Sequence, residues 1–189
     1  MDTDRKLRIA AINKESIVDG KGLRYVVYEQ GCNHNCIGCH NPETHDFKGG
    51  KLFAIKTILK DIEKDPCLDG VTLSGGDPFF QAKNNVPFLK EVKKKNINVW
   101  AYTGFKIEDF LAFINGEPTD KRINADMIEM LKLVDVLVDG RFELENRSLT
   151  CKFRGSTNQR IIDVKKTLET NNVTEEIWDE IHSNYGYNR

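Results

Sequence analysis

Short β-branched and aromatic runs alternate with amphipathic stretches of helical length along most of this chain, and that alternation limits it to a sheet fed by crossover helices. Residues 23–30, LRYVVYEQ, read as a strand, as do GVTLSGGDP, INVWAYTG and VDVLVDG further on. Between them, FAIKTILKDIEKD places Ile55, Ile58, Leu59 and Ile62 at helical spacing. NNVPFLKEVKKKN is an amphipathic helix whose lysines, Lys93 to Lys95, form a solvated face, and KIEDFLAFIN and NADMIEMLKL are helical as well. Strands separated by such helices predict βαβ units, an α/β fold with mostly parallel strands. In folds of that kind a ligand sits at the carboxyl ends of the strands. Three predicted strands end in glycine (Gly75, Gly104 and Gly140), which lets backbone approach a ligand closely.

A chain of 189 residues fits one domain with a short appendage. The alternating pattern ends near Val164, so residues 1–164 are read as the domain and the more polar residues 165–189 as a C-terminal helix and tail. With 39% hydrophobic and 30% charged residues and a net charge of −1, there is no electrostatic footprint for nucleic acid or an anionic membrane. No apolar run is long enough to span a bilayer, and MDTDRKLRIAAI lacks a secretory apolar core, so the chain reads as cytoplasmic.

The first predicted strand runs straight into GCNHNCIGCHN, where three of the five cysteines, Cys32, Cys36 and Cys39, lie at C-x3-C-x2-C spacing. In a reducing compartment clustered thiols point to metal or redox chemistry rather than to disulfides. Three readings follow from the spacing: a zinc site completed by His34 or His40, an iron–sulfur cluster with one iron left open, or reduced thiols in a loop. With three thiols available, His34 reads as a solvated loop residue. Cys67 and Cys151 are isolated and read as ordinary small hydrophobes. The run Asp19-Gly20-Lys21-Gly22 reads as a turn, and HDFKGGKLF as a flexible connection.

A second motif narrows the choice. LSGGDP ends a strand with Gly75, Gly76 and Asp77, and alone it is a plain turn. Paired with the cysteine loop, it resembles the radical S-adenosylmethionine (SAM) superfamily. Within that superfamily the chain is similar to the activating enzymes of anaerobic (class III) ribonucleoside-triphosphate reductases. The stretches that carry this are IVDGKGLRYVVYEQGCNHNCIGCHNPETH, LSGGDP, VWAYTGF, VDVLVDGRF and FRGSTNQRIIDV. Gly38 stands where the superfamily commonly has an aromatic residue, with His40 just after the third cysteine.

The resemblance implies an incomplete, partial βα barrel of the radical SAM type, since a complete barrel takes about 250 residues. It implies that Cys32, Cys36 and Cys39 hold a [4Fe–4S] cluster whose fourth iron binds SAM, and that Gly75, Gly76 and Asp77 meet the methionyl amine. Gly38, Cys39 and His40 would flank the cofactor, with Thr103 and Asp139 at later strand ends near its ribose. The implied partners are a glycyl-radical reductase, as its large subunit, and a low-potential electron donor such as a flavodoxin. A small-molecule enzyme similar to carboxy-deazaguanine synthase and a zinc-stabilised binding module are the alternatives.

Overall fold

The computed structural model describes residues 5–176. Seven strands form one sheet: β1 (Lys6–Ser16), β2 (Arg24–Glu29), β3 (Lys51–Ala54), β4 (Gly70–Gly75), β5 (Asn98–Tyr102), β6 (Val136–Asp139) and β7 (Arg160–Asp163), in the order β3-β1-β2-β4-β5-β6-β7. The four central strands are parallel, Val26 opposite Thr72 and Thr72 opposite Trp100, whereas β1, β3 and β7 join antiparallel at the two edges. This is the expected α/β arrangement, with a parallel centre to the sheet.

Side chains alternate across the sheet with the period of two that extended backbone imposes. Tyr25, Val27, Val71, Leu73, Val99, Ala101, Leu137 and Ile162 face the main core. There they meet the apolar faces of α1 (Ile55–Ile62), α2 (Ala82–Lys94), α3 (Ile107–Ile114) and α4 (Ala125–Leu131). Ile55, Ile58, Leu59 and Ile62 are all buried, as their spacing predicts. The opposite face carries a smaller cluster of Trp100, Val136, Val138 and Ile161. Arg24 lies on this face too, its guanidinium donating to Thr72 Oγ1 at 2.6 Å and Val71 O at 2.7 Å and lying 5.4 Å from the Trp100 ring centre. Burial lowers its pKa to about 10, against the opposing pull of Tyr102, Asp135, Asp69 and Asp19.

One expectation changes. HDFKGGKLF is not wholly a loop, because Lys51 to Phe53 pair with β1. The polar segment after Val164 begins as α5 (Val164–Thr170), capped by the Asp163 carboxylate, and Glu175 then bridges to Ile162. Thr167 is buried, so this part of the segment packs on the domain. The remainder of the expected C-terminal helix and tail lies outside the described residues.

Candidate functional site

The carboxyl ends of β2, β4, β5 and β6 open into a cavity of about 870 Å³. Cys32, Cys36 and Cys39 all line it, together with His40, Gly75, Gly76, Asp77 and Thr103. The cysteine loop leaves β2 through Gly31, whose φ of +107° is in the left-handed region and whose missing Cβ leaves room for Phe47. The loop is anchored by Gly31 N–H to Thr44 O and Cys32 N–H to His45 O, and closes on itself through Cys39 N–H to Cys36 O. Gly38 takes a φ of +72°, and a side chain there would meet Leu144, which accounts for glycine before the third cysteine.

At the end of β4, the two glycines serve close packing of backbone as much as access. A Cβ on Gly75 would fall 2.5 Å from Glu29 N, and one on Gly76 would fall 2.5 Å from Gly31 O, at the root of the cysteine loop. The Asp77 carboxylate is 1% exposed and turned toward protein donors. Its Oδ1 accepts from Phe79 N–H at 3.0 Å, and its Oδ2 accepts from Thr103 Oγ1 at 2.8 Å and Gly104 N–H at 3.0 Å. His34 Nε2 lies 2.8 Å from the same Oδ2. His34 is therefore no solvated loop residue: its side chain is 2% exposed, held between Phe105 and Phe80.

Asp139 does not line this cavity. Its carboxylate is buried and accepts from Arg160 and from Ile107 N–H, and Arg160 also makes a two-pronged pair with Glu108. The Arg160 guanidinium holds the Glu108 carboxyl below its usual range. Asp139 thus fastens the start of α3 to β6 and β7 instead of presenting a carboxylate to a ligand.

The wall opposite the cysteines comes from the segment between β6 and β7, which the motif FRGSTNQR shapes. Gln159 Oε1 accepts from Gly155 N–H at 3.0 Å while its Nε2 donates to Gly140 O at 3.1 Å. Asn158 Nδ2 donates to Arg141 O at 2.9 Å, and Tyr102 OH donates to Phe153 O at 2.7 Å. His40 packs on Phe142 with ring centres 4.5 Å apart, and a Cβ on Gly155 would reach to 2.9 Å from its Cε1. The glycine of this motif makes room for the histidine of the cysteine loop. Cys151 also faces the cavity, so it is not simply a small core residue; Ser148 and Arg154 draw its thiol below the usual value. Asp19, read as part of a turn, lines the cavity and accepts from Ser16 Oγ and from Tyr28 OH at 2.9 Å.

The donor set, three thiols on one loop at one cavity, fits an iron–sulfur cluster with one iron left to another ligand. Burial pushes the Cys32 thiol up to about 11, against the opposing pull of the His34 backbone N–H, and raises Cys36 against the Phe142 N–H. Backbone N–H groups directed at sulfur are among the features that tune such clusters. Binding of metal would release the thiol protons.

Comparison with known proteins agrees with this geometry. A family model described as "4Fe-4S single cluster domain" matches residues 18–162. The anaerobic ribonucleoside-triphosphate reductase-activating protein of Enterobacteria phage T4 is 34% identical over 151 residues, covering 76% of this chain and 86% of that protein. The pyruvate formate-lyase-activating enzyme of Clostridium pasteurianum is 38% identical over 96 residues, 48% of this chain and 40% of that one. QueE from Escherichia coli, a solved structure, superimposes with a TM-score of 0.42 at 15% identity, over 52% of this chain and 53% of that one. The thiol loop at the carboxyl ends of the parallel strands, within the residues that the family model matches, defines a single-cluster domain of the radical SAM type. Within that class, the chain belongs to the family of anaerobic ribonucleoside-triphosphate reductase-activating proteins.

Proposed function

We propose that this chain cleaves SAM reductively at a [4Fe–4S] cluster held by Cys32, Cys36 and Cys39, and so places a glycyl radical on the large subunit of an anaerobic ribonucleoside-triphosphate reductase. The observation that carries this reading is the single cavity in which the three thiols face the Gly75-Gly76 strand end. When bound, the cluster supplies the electron that splits SAM into methionine and a 5′-deoxyadenosyl radical, which takes the hydrogen atom from the partner's glycine Cα. Three thiolates would leave one iron without a protein ligand. Cys39 and His40 would border the cofactor on one side and the backbone of Gly75 and Gly76 on the other, while Gly38 does not itself line the cavity and would act by shaping the loop. Asp77 orders that strand end through its four donors, and Thr103 contributes by holding Asp77. A low-potential donor such as a flavodoxin reduces the cluster, in the cytoplasm.

A protein substrate fits the mouth of the cavity. Ile17 and Val18 on one lip are 73% and 71% exposed, and Leu149 on another is 89% exposed. An inserted glycine loop would cover these apolar side chains and exclude water from the radical. Mixed anaerobically with the reductase, SAM and a reductant, the chain should give an electron paramagnetic resonance doublet that collapses when the partner's glycine is α-deuterated, with deuterium recovered in 5′-deoxyadenosine. Efficient SAM cleavage with no radical on the reductase would instead favour a small-molecule substrate.

A further inference from the structure

We infer that His34, which lies inside the cysteine loop with its ring turned to Asp77, is a positioning residue that sets the cluster loop against the cofactor-facing strand ends. This rests on the function proposed above. Between Cys32 and Cys36 the loop has few anchors: its backbone bonds lie at Gly31, Cys32 and Cys39, at or beyond the two cysteines, and besides His34 only the exposed Asn33 Oδ1, accepting from Arg122 at 3.2 Å, is tied from inside it among the described hydrogen bonds. His34 fills that gap as a peg. Its ring meets Phe105 edge-on at 4.7 Å and Phe80 at 5.6 Å, and the absence of a side chain at Gly104 makes the seat, since a Cβ there would lie 2.6 Å from the ring.

The polar end of the peg reaches the one group shared by both halves of the site. Asp77 Oδ2 lies 2.8 Å from His34 Nε2 and accepts from Thr103 Oγ1 and Gly104 N–H of the next strand. Because a carboxylate only accepts, Nε2 carries the proton, and the buried Nδ1 has no hydrogen-bond partner among the described residues. A histidine that spends one nitrogen on Asp77 and leaves the other buried and unmatched is there for that single bond. At its backbone, the His34 N–H is directed at the Cys32 sulfur. One residue therefore joins a cluster sulfur, the end of β4 and the end of β5. A displacement of the strand ends by a ligand is transmitted to the Cys32 sulfur, and by linkage the state of the cluster acts back on ligand affinity.

The test compares His34→Gln, which keeps a donor at the Nε2 position, with His34→Phe, which keeps the aromatic packing and loses the donor. After anaerobic reconstitution, both should hold iron and sulfide at the parent level. His34→Phe should bind SAM about tenfold more weakly, and its cluster reduction equilibrium should move by about tenfold, ~59 mV for one electron, with a smaller SAM-induced change in potential. His34→Gln should resemble the parent. Equal potentials and SAM affinities in parent and His34→Phe would overturn the proposal, as would equal impairment in both variants. Should His34→Phe fail to hold iron, Gly104→Ala, which unseats the ring from another strand, must shift the potential in the same sense, and an unshifted potential there overturns the proposal too. A parent protein that assembles no cluster would refute the proposed function itself, a result separate from either outcome for His34.

Discussion

Glu29, at the end of β2, opposes its surroundings more than any other charged residue of the central strands. It is fully buried, neither carboxyl oxygen has a hydrogen bond of ordinary geometry, and it points to the helix-covered side of the sheet, beside Asn85. Burial holds its carboxyl well above the usual range, against the pull of the Asn85 amide and with the Asp77 charge adding to the effect. The folded chain therefore keeps a proton that the unfolded chain loses near pH ~4.3. The stability this group supports is complete below that pH and is lost as pH rises toward the folded value. Glu29→Gln should accordingly be more stable than the parent at about pH 8, with the difference vanishing at about pH 4, in urea unfolding across that range. Nothing in LRYVVYEQ distinguishes this glutamate from a solvated strand end, because its environment comes from α2. The glycines of LSGGDP were legible as a strand end, but the reason for Gly76 was not. It is bare because Gly31 O, some 45 residues earlier in the chain, lies against it.

At the scale of elements, the four parallel strands and their helices follow from periodicity, since each is buried on both faces or has one continuous apolar face. The antiparallel edges do not. In β1 only Leu7, Ile9 and Ser16 are buried, and β3 has no buried residue at all, so their strand character comes from pairing partners rather than from pattern. Strand β7 is four residues long and is held by the Arg160 network. Removing the cation while leaving Asp139 buried should be costly. Arg160→Met is expected to destabilise the chain by about 3 kcal/mol, at the low end for a broken buried pair because Arg160 is partly exposed. That corresponds to a fall in Tm of roughly 6–12 °C by differential scanning calorimetry. A drop of less than about 1 kcal/mol would show that Asp139 is satisfied without it.

For the molecule as a whole, metal content separates the cysteine roles. Replacing Cys32, Cys36 or Cys39 singly by Ala should abolish SAM cleavage, whereas Cys67→Ala, on an exposed thiol, should leave iron near the parent level. Cys151→Ala should also keep its iron, although this thiol shares the cavity with the other three. A large loss of iron from Cys67→Ala or Cys151→Ala would mean that the cluster draws on more than one loop. The sequence by itself determined the fold class, the thiol loop and its placement after a strand, because these depend on short-range periodicity and on spacing within a few residues. It also carried the family likeness, since the motifs are contiguous. Only the tertiary structure decided what the isolated polar residues do. Asp139 was turned from a ligand candidate into a structural anchor by Arg160, and His34 from a solvated residue into a buried peg by Asp77, Phe80, Phe105 and Gly104. A carboxylate or imidazole has the same chemistry in any strand end or loop. Its role is set by which donors and rings arrive from elsewhere in the chain, and those contacts exist only once the sheet has assembled.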